Sequence, residues 1–198
     1  MMNAVKTKHH FNMVTDAQGV FRSFLDALAN PGRPSSIATY VKRFAEEGQW
    51  LASAVTLLDQ ETGFFWNGAP EIAREINFLT GSAPVCLSHA DFVFLPEPTV
   101  PAEILGQVKA GSHMAPHDSA LLLIATDGEA PAPVALRGPG IPPEGRRIML
   151  SQIERAWLNA RETQGFEYPC GVEMIFLRED ASILAIARKA APYGLYSG

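Results

Sequence analysis

Cysteine is nearly absent: the chain of 198 residues has two, Cys86 and Cys170. Small secreted domains stapled by disulfides carry more, so both are read as reduced thiols. Long apolar runs are missing as well. No stretch of ~18 apolar residues is present to span a bilayer. The opening segment MMNAVKTKHHFNMV has lysines but lacks the apolar core of a secretion signal. Together these features place the protein in the cytoplasm. Positive charge is also in short supply. Sixteen Lys and Arg against 21 Asp and Glu leave a formal charge of -5, which argues against non-specific binding of nucleic acid or a membrane surface. A small anionic ligand stays open, because a local arginine cluster decides that and the total does not. Portable catalytic signatures are absent too. There is no GxxxxGK phosphate loop, GxGxxG turn, GxSxG elbow, HExxH or CxxC.

What is present is the composition of a globular protein, 47% hydrophobic and 19% charged. A chain this long buries a core without disulfides or a structural metal, and one domain over residues 1–198 is expected. TDAQGVFRSFLDALANPG (15–32) reads as a helix. Thr15 and Gln18 form a capping box, Phe21, Phe24, Leu25 and Leu28 form a buried stripe, and Asn30-Pro31-Gly32 is the stop. A strand is expected over 35–41 and a helix over 49–59, whose Ala52, Ser53 and Ala54 suit close packing. Further strands are expected over 62–68, 83–88 and 90–96. PEIAREINFLTG (70–81) and PAEILGQVKAGS (101–112) are proline-started helices. SALLLIAT (119–126) and PVALRG (133–138) are nearly continuous apolar runs, which suit strands buried on both faces. The helix over 150–165 presents Ile153, Ala156, Trp157 and Ala160 to the core. Residues 171–188 form a hairpin turning at Glu179–Asp180–Ala181. Pro/Gly-rich loops fill 96–101, 128–133 and 138–145. This mixture predicts an α/β fold, a three-layer sandwich around a central mixed sheet.

Candidate chemistry is sparse. His113 and His117 are four apart, but Gly111, Ser112 and Pro116 break any helix there, so no metal site is expected. Cys170, in a Pro-Cys-Gly turn, lacks a base or helix dipole to activate it. Lys189, near the chain end, lacks the surroundings of a Schiff-base lysine. Glu173 interrupts an apolar strand and must be exposed or paired; it reads either as an ion pair with Arg188 on the neighbouring strand or an exposed edge position, or as a catalytic base. VALRGPGIPPEGRR (134–147) is more suggestive. Gly138 and Gly140 allow a tight turn whose N–H groups could form an anion nest, and Arg137 could add a fork for phosphate or phosphonate. Anion-site candidates are therefore Arg137, Gly138, Gly140, Arg188 and Glu173. The other reading is a rigid turn with Arg137 paired to an acid such as Glu173. Phe11, Phe64, Phe65 and Trp66 are read as aromatic surface for an interface.

Three stretches taken together, FRSFLDALANPGRP, LRGPGI and YPCGVEMIFLREDASILAIAR, resemble the H subunit of the bacterial carbon–phosphorus lyase core complex, the PhnH-type phosphonate metabolism proteins. The likeness runs along nearly the whole chain in the same order. It implies a fold similar to the core of pyridoxal-phosphate-dependent transferases, without that cofactor. It also implies action with G, I and L subunits in making ribose 1-phosphonate 5-triphosphate from ATP and an alkylphosphonate, with loss of adenine, a J subunit as a further partner in the core complex, and a homodimer when isolated. The alternative is a non-catalytic assembly module of that complex. The resemblance assigns no role to Arg146 or Arg147 and carries over no catalytic residue.

Overall fold

The structure, a computed structural model, describes residues 9–193. Most of the opening segment read for a secretion signal lies outside the described residues. In chain order the elements are α1 (Thr15–Ala29), β1 (Ser35–Ser36), α2 (Ala38–Val41), α3 (Gly48–Leu57), β2 (Gly63–Trp66), α4 (Pro70–Thr80) and β3 (Ala83–Pro84). A 3-10 turn at Leu87–His89 follows, then β4 (Phe92–Leu95), α5 (Pro101–Leu105), β5 (Leu121–Thr126), β6 (Ala132–Arg137), β7 (Arg146–Leu150), α6 (Gln152–Gln164), β8 (Glu173–Arg178), β9 (Ser182–Ile186) and β10 (Ala191–Pro192).

Strands β2, β4, β5 and β8 lie side by side and parallel, with β3 parallel at the far edge of β2. Strand β9 returns antiparallel on β8, and β1 closes the other edge against β9. The sheet is therefore central and mixed. Side chains alternate across it, as a period of two requires. Val93, Leu95, Leu122, Ile124, Met174 and Phe176 face one core, which also holds Leu105 of α5 and Trp157 of α6. Phe64, Phe94, Leu123, Ile175 and Leu177 face the other, with Phe24 of α1, Leu51 of α3 and Ile76 of α4. Helices thus cover both faces, giving three layers. Leu122 and Leu123 are adjacent and both fully buried, so truncating either to alanine would cost about 2–5 kcal/mol. Ala52, Ser53 and Ala54 are fully buried on α3, where their small size allows the close packing expected of them.

Several local expectations are corrected. Helix α1 is not capped by Thr15: no side chain of its N-cap residue bonds the helix. Asn12 does that work one turn earlier, its Oδ1 accepting the N–H groups of Val14 and Thr15, while Asp16 accepts from the Asn12 N–H. The buried stripe is Val20, Phe24 and Ala27, while Phe21 and Leu25 are about half exposed at 45% and 49%. Residues 35–41 are strand for two positions only and then turn helical. Residues 83–88 likewise give a two-residue strand before the 3-10 turn. Helix α5 stops at Leu105, with Gly106 as its cap residue. The chain then bridges Ala110 to Ser119 on its way into β5.

The largest correction concerns PVALRG. Strand β6 is not in the central sheet. It is the middle strand of a second, three-stranded sheet, antiparallel to both β7 and β10. Val134 and Leu136 pack onto the core around α6, Ala135 is buried on the opposite face, and Pro133 and Arg137 are exposed there. Strand β7, formed by RRIML, was not foreseen, because two arginines after a Pro/Gly loop give no strand signal. The core face of α6 is also rotated: Glu154, Trp157, Leu158 and Arg161 are buried and Ala156 is exposed. The 171–188 hairpin forms as expected, with Ala181 at φ 58 in its turn.

Candidate functional site

In open parallel sheets, ligands gather beyond the carboxyl ends of the strands. Here β4, β5 and β8 end together at Leu95, Thr126 and Arg178, and a cleft of about 350 Å³ opens there. Its volume falls in the range of small-molecule sites, ~300–1,000 Å³. The floor is apolar, with Leu95, Ile124, Ile153, Trp157 and Leu177. The rim carries Gln49, Thr99 and three carboxylates, Glu97, Asp127 and Glu179. The lip formed by the β4–α5 loop is pinned from β2: Asn67 donates to the Glu97 carbonyl at 3.0 Å and accepts from its N–H at 3.3 Å.

Beneath the cleft lies a buried polar knot. Glu154 is fully buried at the N-terminal turn of α6. Its carboxylate accepts from Arg178 Nε (2.8 Å) and an Arg178 terminal nitrogen (3.0 Å), from the Ser151 N–H (2.8 Å) and from the Thr126 hydroxyl (3.2 Å). The Ser151 hydroxyl in turn accepts the Glu154 N–H, completing a capping box. One carboxylate thus joins the end of β5, the end of β8 and the start of α6. The Arg178 guanidinium is held above its ordinary pKa, first by its hydrogen bonds to Glu154, against the opposing effect of burial. The sequence carries the capping half of this knot openly, as Ser151-x-x-Glu154 at the start of a helix.

The residues singled out from sequence fall elsewhere. Gly138 and Gly140 do sit in a tight turn, at φ 146 and φ 77. A Cβ on Gly138 would come 2.5 Å from the Lys189 carbonyl oxygen, and one on Gly140 would come 2.4 Å from the Ala29 carbonyl oxygen. Close approach of backbone to backbone thus accounts for both glycines. Arg137 lies with its guanidinium carbon 3.8 Å from the Tyr193 ring centre, a cation–π contact and not a pairing with Glu173. Arg188 donates to the carbonyls of Pro116 (2.7 Å) and Pro169 (3.0 Å) and to the Ser119 hydroxyl (2.6 Å). It stands 3.9 Å from Glu173, the ion pair expected across the hairpin. Arg188 lines a smaller hollow of about 140 Å³ with Arg161, Cys170 and Lys189, and Arg137 is not part of that lining. Lys189 lies over the Tyr168 ring at 4.9 Å. His113 and His117 are exposed on their loop, His117 lying 3.5 Å from Asp118. Among the described residues no group of His, Cys, Asp and Glu is arranged to hold a metal ion. The aromatic residues read as interface surface are mostly interior: Phe11 and Phe64 are buried, and Phe65 and Trp66 pack on the two cores.

A further hollow, of about 400 Å³, lies between the loop leaving α1 and strand β7. Arg33, Arg146, Arg147 and Arg178 line it. No local sequence signal marks it, because Arg33 and the pair 146–147 are more than a hundred residues apart and meet only through the fold.

The class the fold defines is a three-layer α/β protein with a cleft at the carboxyl edge of its parallel strands. The family described as bacterial phosphonate metabolism protein (PhnH) matches residues 8–191, nearly the whole chain, and the chain belongs to that family. Its role therefore lies in phosphonate metabolism. No protein with a curated description matches it. Among the described residues no helix is long and apolar enough to cross a membrane.

Proposed function

We propose that the chain, acting as one α/β domain in the cytoplasm, is the H-type subunit of a carbon–phosphorus lyase core complex. It serves the step in which an alkylphosphonate displaces adenine from ATP. A phosphonate oxygen forms a bond to the anomeric carbon of the ribose, the glycosidic C–N bond breaks, and adenine leaves with a proton. The product is ribose 1-phosphonate 5-triphosphate. The observation that carries this reading is the family match over residues 8–191. The cleft supports it in part. An apolar floor below a hydrogen-bonding rim suits a flat, uncharged ring, whereas the Glu97, Asp127 and Glu179 carboxylates repel phosphates at the same place.

The layered frame is read as that of the pyridoxal-phosphate-dependent transferases without their cofactor, and the step needs none. Partners of the G, I, J and L types complete the machinery, and the isolated chain pairs with itself. A second reading, a non-catalytic assembly module, draws on one observation: α1 leaves Phe21 and Leu25 exposed one helical turn apart, with Val14 at 77% exposure near its start. Such a face suits a protein partner better than water.

The test is adenine release from ATP and methylphosphonate, measured with the purified chain, with the partner subunits, and with both. The expected result is release only when all are present. Release by the chain alone, or equal release by partners lacking it, would overturn the reading. Phe21→Ser with Leu25→Ser separates the two roles. If docking through α1 is the chain's whole contribution, any complex that still assembles turns over normally.

A further inference from the structure

The arginine-lined hollow has a charge balance opposite in sign to that of the chain as a whole. Four of its nine lining residues are arginine and none is acidic, in a chain whose formal charge is -5. Only one of the four is neutralised inside the protein: Arg178 holds Glu154 through two hydrogen bonds, and Asp180 also lies close enough to act on its charge. Arg146 spends one terminal nitrogen on the carbonyls of Asn30 (2.9 Å) and Pro31 (2.7 Å). These are neutral acceptors, so its charge stays and its position is set by the turn that ends α1. Arg33 and Arg147 are exposed, and neither has an ion pair or side-chain hydrogen bond among the described residues. Three of the arginines lining the hollow therefore carry charges with no acidic partner among the described residues.

Like charges held together repel, and a concave wall of low dielectric sharpens their field. An anion between them offsets that repulsion. Guanidinium forks match phosphoryl and phosphonyl oxygens two at a time. Ile148, Met149 and Leu184 supply apolar lining beside the arginines. We infer that this hollow binds a small polyanion made of adjacent phosphoryl groups, a di- or triphosphate chain. Arg146 forms a fixed floor, and Arg33 and Arg147 close on the anion from opposite sides. The anion chemistry stands on the arginines alone; its use in phosphonate activation rests on the function proposed above. The acidic rim of the carboxyl-edge cleft fits this division, because it leaves the phosphates to be held elsewhere.

The experiment is calorimetric titration of the full chain with inorganic tripolyphosphate, with orthophosphate and methylphosphonate in parallel. The expected result is one tripolyphosphate site that weakens as salt is raised, with the single-phosphorus anions binding less tightly. Replacing Arg33 and Arg147 by alanine should weaken tripolyphosphate at least about tenfold, since two charge-assisted contacts are lost, while leaving the melting temperature without ligand unchanged. Met149→Glu, which adds a carboxylate to the wall and removes no arginine, should weaken it as well. Absence of binding by the wild type, or equal binding by both variants, would overturn the site. Orthophosphate binding as tightly as tripolyphosphate would overturn the polyanion assignment. The adenine-release assay reads the function separately. A chain that binds tripolyphosphate through Arg33 and Arg147 but supports no release keeps the site and refutes the function. A chain that supports release without binding the anion does the reverse.

Discussion

Replacing Glu154 by alanine tests the buried knot that ties the carboxyl ends of β5 and β8 to α6. The substitution leaves the Arg178 guanidinium without its counter-charge, the Ser151 N–H without its acceptor and the Thr126 hydroxyl without its partner. Breaking a buried ion pair from one side costs about 3–5 kcal/mol. The Arg178 side chain is 24% exposed, so water recovers part of its solvation and the low end of that range applies. The lost half of the capping box adds about 1 kcal/mol, which brings the total to about 4 kcal/mol. At roughly 2–4 °C per kcal/mol for a chain of this size, the melting temperature should fall by about 8–16 °C. Glu154→Gln keeps the shape and one acceptor oxygen but not the charge, and should cost about 1–3 kcal/mol. Urea melts followed by circular dichroism measure all three proteins. Replacing Glu154 and Arg178 together by methionine should recover much of the loss, because a well-packed apolar pair replaces a desolvated ionic one at little net cost. A loss below about 1 kcal/mol for the alanine variant would show that the knot contributes nothing of the kind argued.

Three smaller predictions follow from other sites. Asp91 accepts from the Gly63 N–H at 2.7 Å and from Lys109; burial pushes its carboxyl up, but the Gly63 N–H and then the Lys109 ammonium outweigh this and hold it below the ordinary aspartate value. A depressed folded value means the stabilisation is present above about pH 4, the unfolded value, and is lost as pH falls through the folded one. Asp91→Asn should therefore flatten the acid limb of a stability-against-pH curve, and superimposable limbs would refute this. The Cys86 thiol is held below its ordinary value by hydrogen bonds to Ser88 and then His89, whose Nδ1 lies 3.0 Å away, so Cys86 should alkylate with iodoacetamide faster than Cys170 at neutral pH and lose that lead in His89→Ala. Arg137→Ala removes only the contact with Tyr193 and should cost about 0.5–1 kcal/mol, whereas Gly138→Ala drives a Cβ into the Lys189 carbonyl at positive φ and should cost several times more; equal melting temperatures for the two would contradict the packing account of the turn.

How much of this was legible in the sequence depends on whether the signal was local. Helix α4 was, because Pro70 and Gly81 mark its ends and each acts within one turn. The β8–β9 hairpin was too, since its two apolar runs are joined by a short polar turn. Helix α1 shows where local reading slips. Val20, Phe24 and Ala27 form a stripe as regular as Phe21, Phe24, Leu25 and Leu28, and the choice between them was made by the sheet beneath. Strand β6 slipped for a related reason. A short apolar run looks the same whether both faces are buried in a central sheet or one face is pressed on a core by a three-stranded flap. Partner choice is tertiary, and β6 took β7 and β10.

The candidate sites divide along the same line. Motif reasoning favoured glycine next to arginine, so it chose Arg137, Gly138 and Gly140, which are neighbours in sequence. In the fold those glycines are consumed by contact with the Lys189 and Ala29 carbonyls, and Arg137 by Tyr193. The arginines left without partners, Arg33 and Arg147, lie just past the segments the sequence marks as a helix stop and a loop. They come together because the α1 stop at Asn30-Pro31-Gly32 packs on β7, where a Cβ on Gly32 would lie 3.1 Å from the Ile148 side chain, and because Arg146 ties the two carbonyls of that stop. A helix stop thus does two things at once: it ends α1, and it sets one wall of the arginine hollow against the other. That is why ANPGRP and RRIML, each unremarkable alone, define the hollow only as a pair.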